Sequence, residues 1–180
     1  MSEPTKILGD ERRSYILKRL RESKEPITGS ELASETNVSR QVIVGDITLL
    51  KARNEPIIAT SQGYLYMYSS NPAGAQRTIA CAHAPEETEE ELNLLVDHGA
   101  TVMDVKIEHP VYGDLTASIM VSNRYEVKKF MEKIRSTNAA YLSELTDGIH
   151  LHTLSASSER VLDEAEEALR KANFLVDNDK

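Results

Sequence analysis

His150 and His152 stand two residues apart in the run Gly148-Ile149-His150-Leu151-His152-Thr153-Leu154. In an extended strand alternate side chains share a face, so the two imidazoles lie side by side, about 7 Å apart along the backbone and within reach of one metal ion. Ile149, Leu151 and Leu154 give the run the look of a strand inside a core. His83, at the end of a short apolar run, and Glu91, in the helical pattern that follows, are the candidates to complete a site. Three imidazoles and one carboxylate suit a divalent transition metal such as zinc, nickel or iron(II), whereas calcium or magnesium would want more oxygen. Each residue also has a plainer reading. Glu91 falls three residues after Thr88, the N3 position of a capping box. His83 fits an ordinary loop histidine, and the strand pair fits a polar sheet face.

A second cluster by type is His109, Tyr112 and Arg124. The paired donors of a guanidinium match both oxygens of a small carboxylate ligand, which makes these candidate ligand contacts. Alternatively His109 beside Pro110 fixes a turn, and Arg124 in the first turn of its helix meets a nearby acid such as Glu126. Cys81 lies in an apolar strand and reads as core; His98 near a helix C-terminus reads as a surface residue. No nucleophilic triad is spaced along the chain, and Gly113 and Gly148 are too isolated to form a phosphate loop.

The elements that must hold these groups follow from periodicity. Thr78 to Ala82 reads as a buried strand delivering His83. Thr88 to His98 reads as a helix with Leu92, Leu95 and Val96 inward and Gly99 closing it. Val102 to Glu108 alternates imperfectly as a strand, His109 to Gly113 turns, and Asp114 to Val121 returns beside it. Ser122 or Asn123 caps a helix carrying Val127, Phe130, Met131 and Ile134. The histidine strand comes next, then a last helix with Val161, Leu162, Ala165 and Leu169. The order β-α-β-β-α-β-α over residues 75–180 predicts an α+β open-faced sandwich, one antiparallel sheet with helices on one side.

Ahead of this, residues 1–70 follow a different plan. Residues 1–10 are polar and read as frayed, and a basic helix starts at Glu11 and ends before Pro26. Thr28 and Glu31 fit a capping box opening a short helix through Thr36. Ser39 caps a third helix whose Ile43, Ile47 and Leu50 form the inward stripe. That stripe leaves Arg40, Gln41, Val44 and Thr48 facing out, as a major-groove reader requires, with Ser39 placed for a phosphate. Two short strands around Ser61-Gln62-Gly63 form a wing, to which Arg53 and Gln62 belong as phosphate contacts. Helix, helix, helix, hairpin is the order of a winged helix-turn-helix; a protein-interaction module is the alternative. The run from Ser69 to Gly74 reads as the linker.

Of 180 residues, Lys and Arg number 21 against 29 Asp and Glu, a net charge of −8. Residues 1–70 hold ten basic and nine acidic side chains, so the excess acid lies in the second part and any polyanion must meet the first. So little positive charge favours a dimer reading two DNA half-sites over a monomer. One cysteine excludes an internal disulfide, and no stretch suggests a signal peptide or a membrane span, so a cytoplasmic protein is expected.

The segments Val38-Ser39-Arg40-Gln41-Val42-Ile43-Val44-Gly45-Asp46-Ile47 and Ala59-Thr60-Ser61-Gln62-Gly63-Tyr64 resemble the small winged helix-turn-helix of one-component bacterial regulators. Asp104 to Gly113 and Leu142 to His152 look like signatures of the three-histidine domain. In this order they resemble the niacin-responsive NiaR-type repressors. The resemblance implies a homodimer that binds a double-stranded operator, uses nicotinic acid as co-repressor, and controls genes of NAD biosynthesis or niacin uptake. It also implies an HPr-like regulatory domain with a divalent metal held at the positions of His83, Glu91, His150 and His152. Gly45 stands where relatives commonly carry a longer polar side chain, and Asn123 before Arg124 varies a Ser-Arg pair. Two other readings are a metal-dependent enzyme acting on a small pyridine or carboxylate substrate and a regulator of this architecture sensing another small acid.

Overall fold

The computed structural model describes residues 7–68 and 74–176. The chain divides into two compact units, Met1–Ser70 and Asn71–Lys180. The expected linker from 69 to 73 and the polar start through residue 6 lie outside the described residues.

The first unit runs α1 (Gly9–Glu22), α2 (Gly29–Thr36), α3 (Arg40–Ala52), β1 (Ile57–Thr60) and β2 (Gly63–Tyr66). Helix α1 already includes Gly9 and Asp10, two residues earlier than the apolar pattern indicates. The capping box at α2 is formed: the Glu31 N–H donates to Thr28 Oγ1 (3.1 Å) and the Thr28 N–H donates to Glu31 Oε2 (2.7 Å). Asn37 closes that helix in the left-handed region, φ 53°. Ser39 Oγ accepts the Val42 N–H and caps α3. Ile16, Leu20, Leu32, Ile43, Ile47 and Leu50 form the buried core. Ile27 and Tyr64 exchange two backbone hydrogen bonds, which tie the entrance of α2 to the hairpin. Gly63 permits this approach, since a Cβ there would sit 2.7 Å from the Ile27 carbonyl.

Helix α1 is less free a cation source than its composition indicates. Arg12 is turned inward, its Nε 2.5 Å from Asp46 Oδ2, and both side chains are over nine-tenths buried. Arg13 adds a contact of 3.0 Å to Asp46, Arg19 pairs with Glu35, and Arg21 pairs with Glu55.

The second unit runs β3 (Ala75–Ala82), α4 (Thr88–Asp97), β4 (Thr101–Val102), β5 (Val105–His109), β6 (Gly113–Ala117), α5 (Arg124–Thr137), β7 (Ile149–Ala156) and α6 (Glu159–Lys171). Its sheet order is β3-β7-β5-β6 with β4 also on β7, and every pairing is antiparallel. With β4 and β5 counted as one broken strand, the expected β-α-β-β-α-β-α order is present, as an open-faced, HPr-like sandwich. Leu92, Leu95 and Val96 of α4, Val127 and Met131 of α5, and Leu162, Ala165 and Leu169 of α6 pack on one face of the sheet.

Two sequence expectations need correction here. The apolar residues of the histidine strand are not all inside: Leu154 is fully buried, but Ile149 is 57 % exposed and Leu151 40 %. Strand alternation puts His150, His152 and Leu154 on one face and Ile149 and Leu151 on the other, and the helices cover the histidine face. The strand expected over Val102 to Glu108 is interrupted at Met103 and Asp104, where the backbone turns aside to serve the site described next.

Candidate metal centre

Strand β3 runs antiparallel to β7 with Cys81 opposite His150 and Ile79 opposite His152. His83 follows β3 by one residue and falls beside His150, their ring centroids 4.9 Å apart and nearly perpendicular. His150 and His152 meet edge to face at 4.8 Å. From the helical layer, α4 directs Glu91 into this group. His83 Nε2 lies 2.7 Å from Glu91 Oε2, and the Nε2 atoms of His150 and His152 lie 3.1 and 3.2 Å from Oε1. All four side chains are at least 95 % buried.

The capping-box alternative for Glu91 does not hold. A turn of 3-10 helix at Pro85–Glu87 precedes Thr88, so Thr88 is already helical and Glu91 points inward rather than back to a helix end.

Each imidazole is fixed through its other nitrogen. His83 Nδ1 bonds the Ala84 carbonyl (2.8 Å), His150 Nδ1 that of Gly148 (2.8 Å), and His152 Nδ1 that of Asp104 (2.6 Å). A carbonyl only accepts, so every Nδ1 carries a proton, and a ring that gives up its second proton to a metal presents its Nε2 lone pair to the cluster. The break between β4 and β5 supplies the last of these carbonyls. Asp104 is held there by its own Oδ1, which accepts the Thr153 N–H at 2.9 Å.

Electrostatics agree with a cation site. Burial alone pushes the Glu91 carboxyl up, but His152, His150 and His83 outweigh it and hold it well below the usual carboxylate range. Burial likewise disfavours protonated His83 and His152, yet Glu91 overrides it and raises both above the ordinary imidazole value. An ionised carboxylate in a dry wall needs a cation beside it. Although His83 Nε2 and His152 Nε2 are within ion-pair distance of Glu91, neither has hydrogen-bond geometry to a partner. Two orphaned, buried imidazole nitrogens beside an ionised carboxylate fit a divalent metal with N and O ligands. Cys81, Glu91 and His150 also have ligand atoms within 4.8 Å of one another. Burial pushes the Cys81 thiol up, so it packs as a neutral core residue.

Gly148 makes the strand entry possible. Its φ is +89°, and a Cβ would lie 2.3 Å from the His83 carbonyl oxygen. Gly148→Ala is expected to cost roughly 2 kcal/mol or more in thermal unfolding, read by calorimetry.

Beside the cluster is a cavity of about 210 Å³. Val105, Ala117, Ile119, Phe130 and Ile134 form apolar walls, with Tyr141 and Leu142 from the segment before β7. Sequence reasoning missed this lining, which comes from four separate elements; the inward stripe of α5 was its one visible sign. His109, Tyr112 and Arg124 do not line the cavity. His109 Nδ1 accepts the Val111 and Tyr112 N–H groups of a hairpin turn, Tyr112 is 75 % exposed, and Arg124 forms a two-point pair with Asp97 at 2.5 and 2.7 Å.

On the first unit, α3 exposes Ser39, Arg40, Gln41 and Thr48, with Val44 half-buried among them. Thr48 Oγ1 donates to the Val44 carbonyl. Arg53 is exposed just past the helix, and Gln62 is half-buried in the hairpin turn. Among the described residues no ion pair occupies Arg40, Lys51 or Arg53, so this face keeps the charge that α1 spends internally.

A helix-turn-helix joined to a three-histidine domain defines the chain as a DNA-binding regulator. Residues 12–65 match the helix-turn-helix family and residues 76–178 match the 3H domain family. The chain is 61 % identical over 178 residues to the Transcription repressor NadR of Bacillus subtilis (strain 168), covering 98 % of this chain and 99 % of that one. It is 40 % identical over 172 residues to the Probable transcription repressor NiaR of Thermotoga maritima, covering 96 % and 97 %. A 26 % match over 106 residues to an uncharacterized protein of Methanothermus fervidus spans 55 % of this chain and 17 % of that protein. The chain belongs to the NadR/NiaR family of transcription repressors. Among the described residues no helix is long and apolar enough to cross a membrane.

Proposed function

We propose that this repressor senses nicotinic acid in the three-imidazole cavity and thereby controls genes of NAD biosynthesis or niacin uptake in the cytoplasm. His83, Glu91, His150 and His152 hold a divalent transition metal at the cavity floor. The observation that carries this reading is the pairing of two orphaned Nε2 atoms and an ionised Glu91 with an adjoining apolar cavity sized for one small ring. A bound metal supplies a Lewis-acid position for a ring nitrogen or carboxylate. The protein contributes the rest: carbonyls that orient the imidazoles, and apolar walls of Phe130 and Ile134 that exclude water around a ring.

The DNA face is α3, with Arg40, Gln41 and Thr48 toward base edges and Ser39, Arg53 and Gln62 toward phosphates. A homodimer presents two such faces. Ligand acts by favouring the dimer arrangement that fits the operator, since equal affinity for both arrangements shifts nothing. A mobility-shift assay on DNA upstream of the regulated genes tests this. Nicotinic acid is expected to tighten operator binding at least tenfold, and unchanged affinity at saturating ligand would sink the co-repressor role.

A further inference from the structure

Thr88 is the one side-chain hydroxyl of the cavity lining that is buried without a hydrogen-bond partner among the described residues. The residue is nine-tenths buried, at the first position of α4, and no cap role employs its Oγ1. A hydroxyl kept dry and unpaired is unfavourable, so such a group marks a place where an occupant supplies the missing bond. Thr88 also has a fixed relation to the cluster: it precedes Glu91 by three residues, so the two share a helix face about 5 to 6 Å apart.

Resting on the sensor reading above, we propose that Thr88 is a specificity residue whose hydroxyl binds the second polar end of a small ring acid, the first end being held at the Glu91 and imidazole cluster. Spacing favours this assignment. A ring nitrogen and a carboxylate set meta across a six-membered ring are separated by a distance comparable to one helical turn, and the apolar walls of the cavity that Thr88 and the cluster both line suit the ring itself. A hydroxyl donates well to a carboxylate oxygen, and an acceptor that is charged makes the bond stronger than a neutral one. Ligands with a single polar atom reach the cluster and leave Thr88 unpaired.

The test is calorimetric titration of the metal-loaded full chain with two probes, nicotinic acid and pyridine, in the wild type, Thr88→Val and Thr88→Ser. Valine keeps the shape and removes the hydroxyl. Thr88→Val is expected to weaken nicotinic acid by roughly 10- to 100-fold and to leave pyridine within about twofold, while Thr88→Ser restores most of the loss. Equal nicotinic acid affinity in the wild type and Thr88→Val overturns the assignment and leaves the sensor reading standing. An equal loss for both probes also overturns it, because that pattern reports a deformed cavity. Failure of the wild type to bind nicotinic acid removes the sensor reading and this assignment together.

Discussion

His150→Ala is expected to strip the bound metal from the purified protein, as read by elemental analysis, and to weaken metal affinity far beyond the roughly 10- to 100-fold typical of losing an outer-shell partner. His150 is the central imidazole, packed edge to face against His83 and His152 and 3.1 Å from Glu91. Its removal deletes one ligand and frees its two ring neighbours to tilt. Glu91→Gln offers a second route to the same loss. The amide keeps the volume but cannot supply the negative charge that the imidazoles hold ionised in a buried wall. Both variants should keep the first unit folded, because its core and caps are its own. Full metal retention by His150→Ala would place the site elsewhere.

Asp46→Ala is expected to destabilise the first unit by about 3 to 5 kcal/mol, the range for breaking a buried ion pair. Asp46 receives Arg12 at 2.5 and 3.3 Å and Arg13 at 3.0 Å, joining α1 to α3. Without it the Arg12 guanidinium stays buried and uncompensated. For a unit of this size the loss corresponds to a fall in Tm of more than about 10 °C, readable by calorimetry. Operator binding should disappear at temperatures where metal content is unchanged. A shift of only a degree or two would show that Arg12 escapes to solvent.

The local parts of the fold were readable because they depend on neighbours in the chain. The Thr28 and Glu31 box, the Ser39 cap, the Ile43, Ile47 and Leu50 stripe, and the shared face of His150 and His152 all follow from helix and strand periods. What periodicity does not say is which face of a sheet the helices cover, so Ile149 and Leu151 read as core although they lie outside. It also does not distinguish a basic helix facing solvent from one neutralised by distant acids, as Arg12 is by Asp46, 34 residues away. Glu91 was ambiguous for a related reason: the turn of 3-10 helix at Pro85–Glu87 that moves the helix start ahead of Thr88 leaves no signal distinct from a capping box. The cavity lining and the Asp104 carbonyl depend on contacts across four elements and on a strand break, which a pattern of alternating residues shows only as an imperfection.

The most direct test of the account is calorimetric titration of nicotinic acid into the same protein preparation before and after removal of metal by a chelator. One binding event per chain in the metal-loaded protein, lost on chelation and regained on adding the divalent ion back, is the predicted result. Undiminished binding by the metal-free protein, or by His150→Ala, would contradict a sensor floor built from His83, Glu91, His150 and His152.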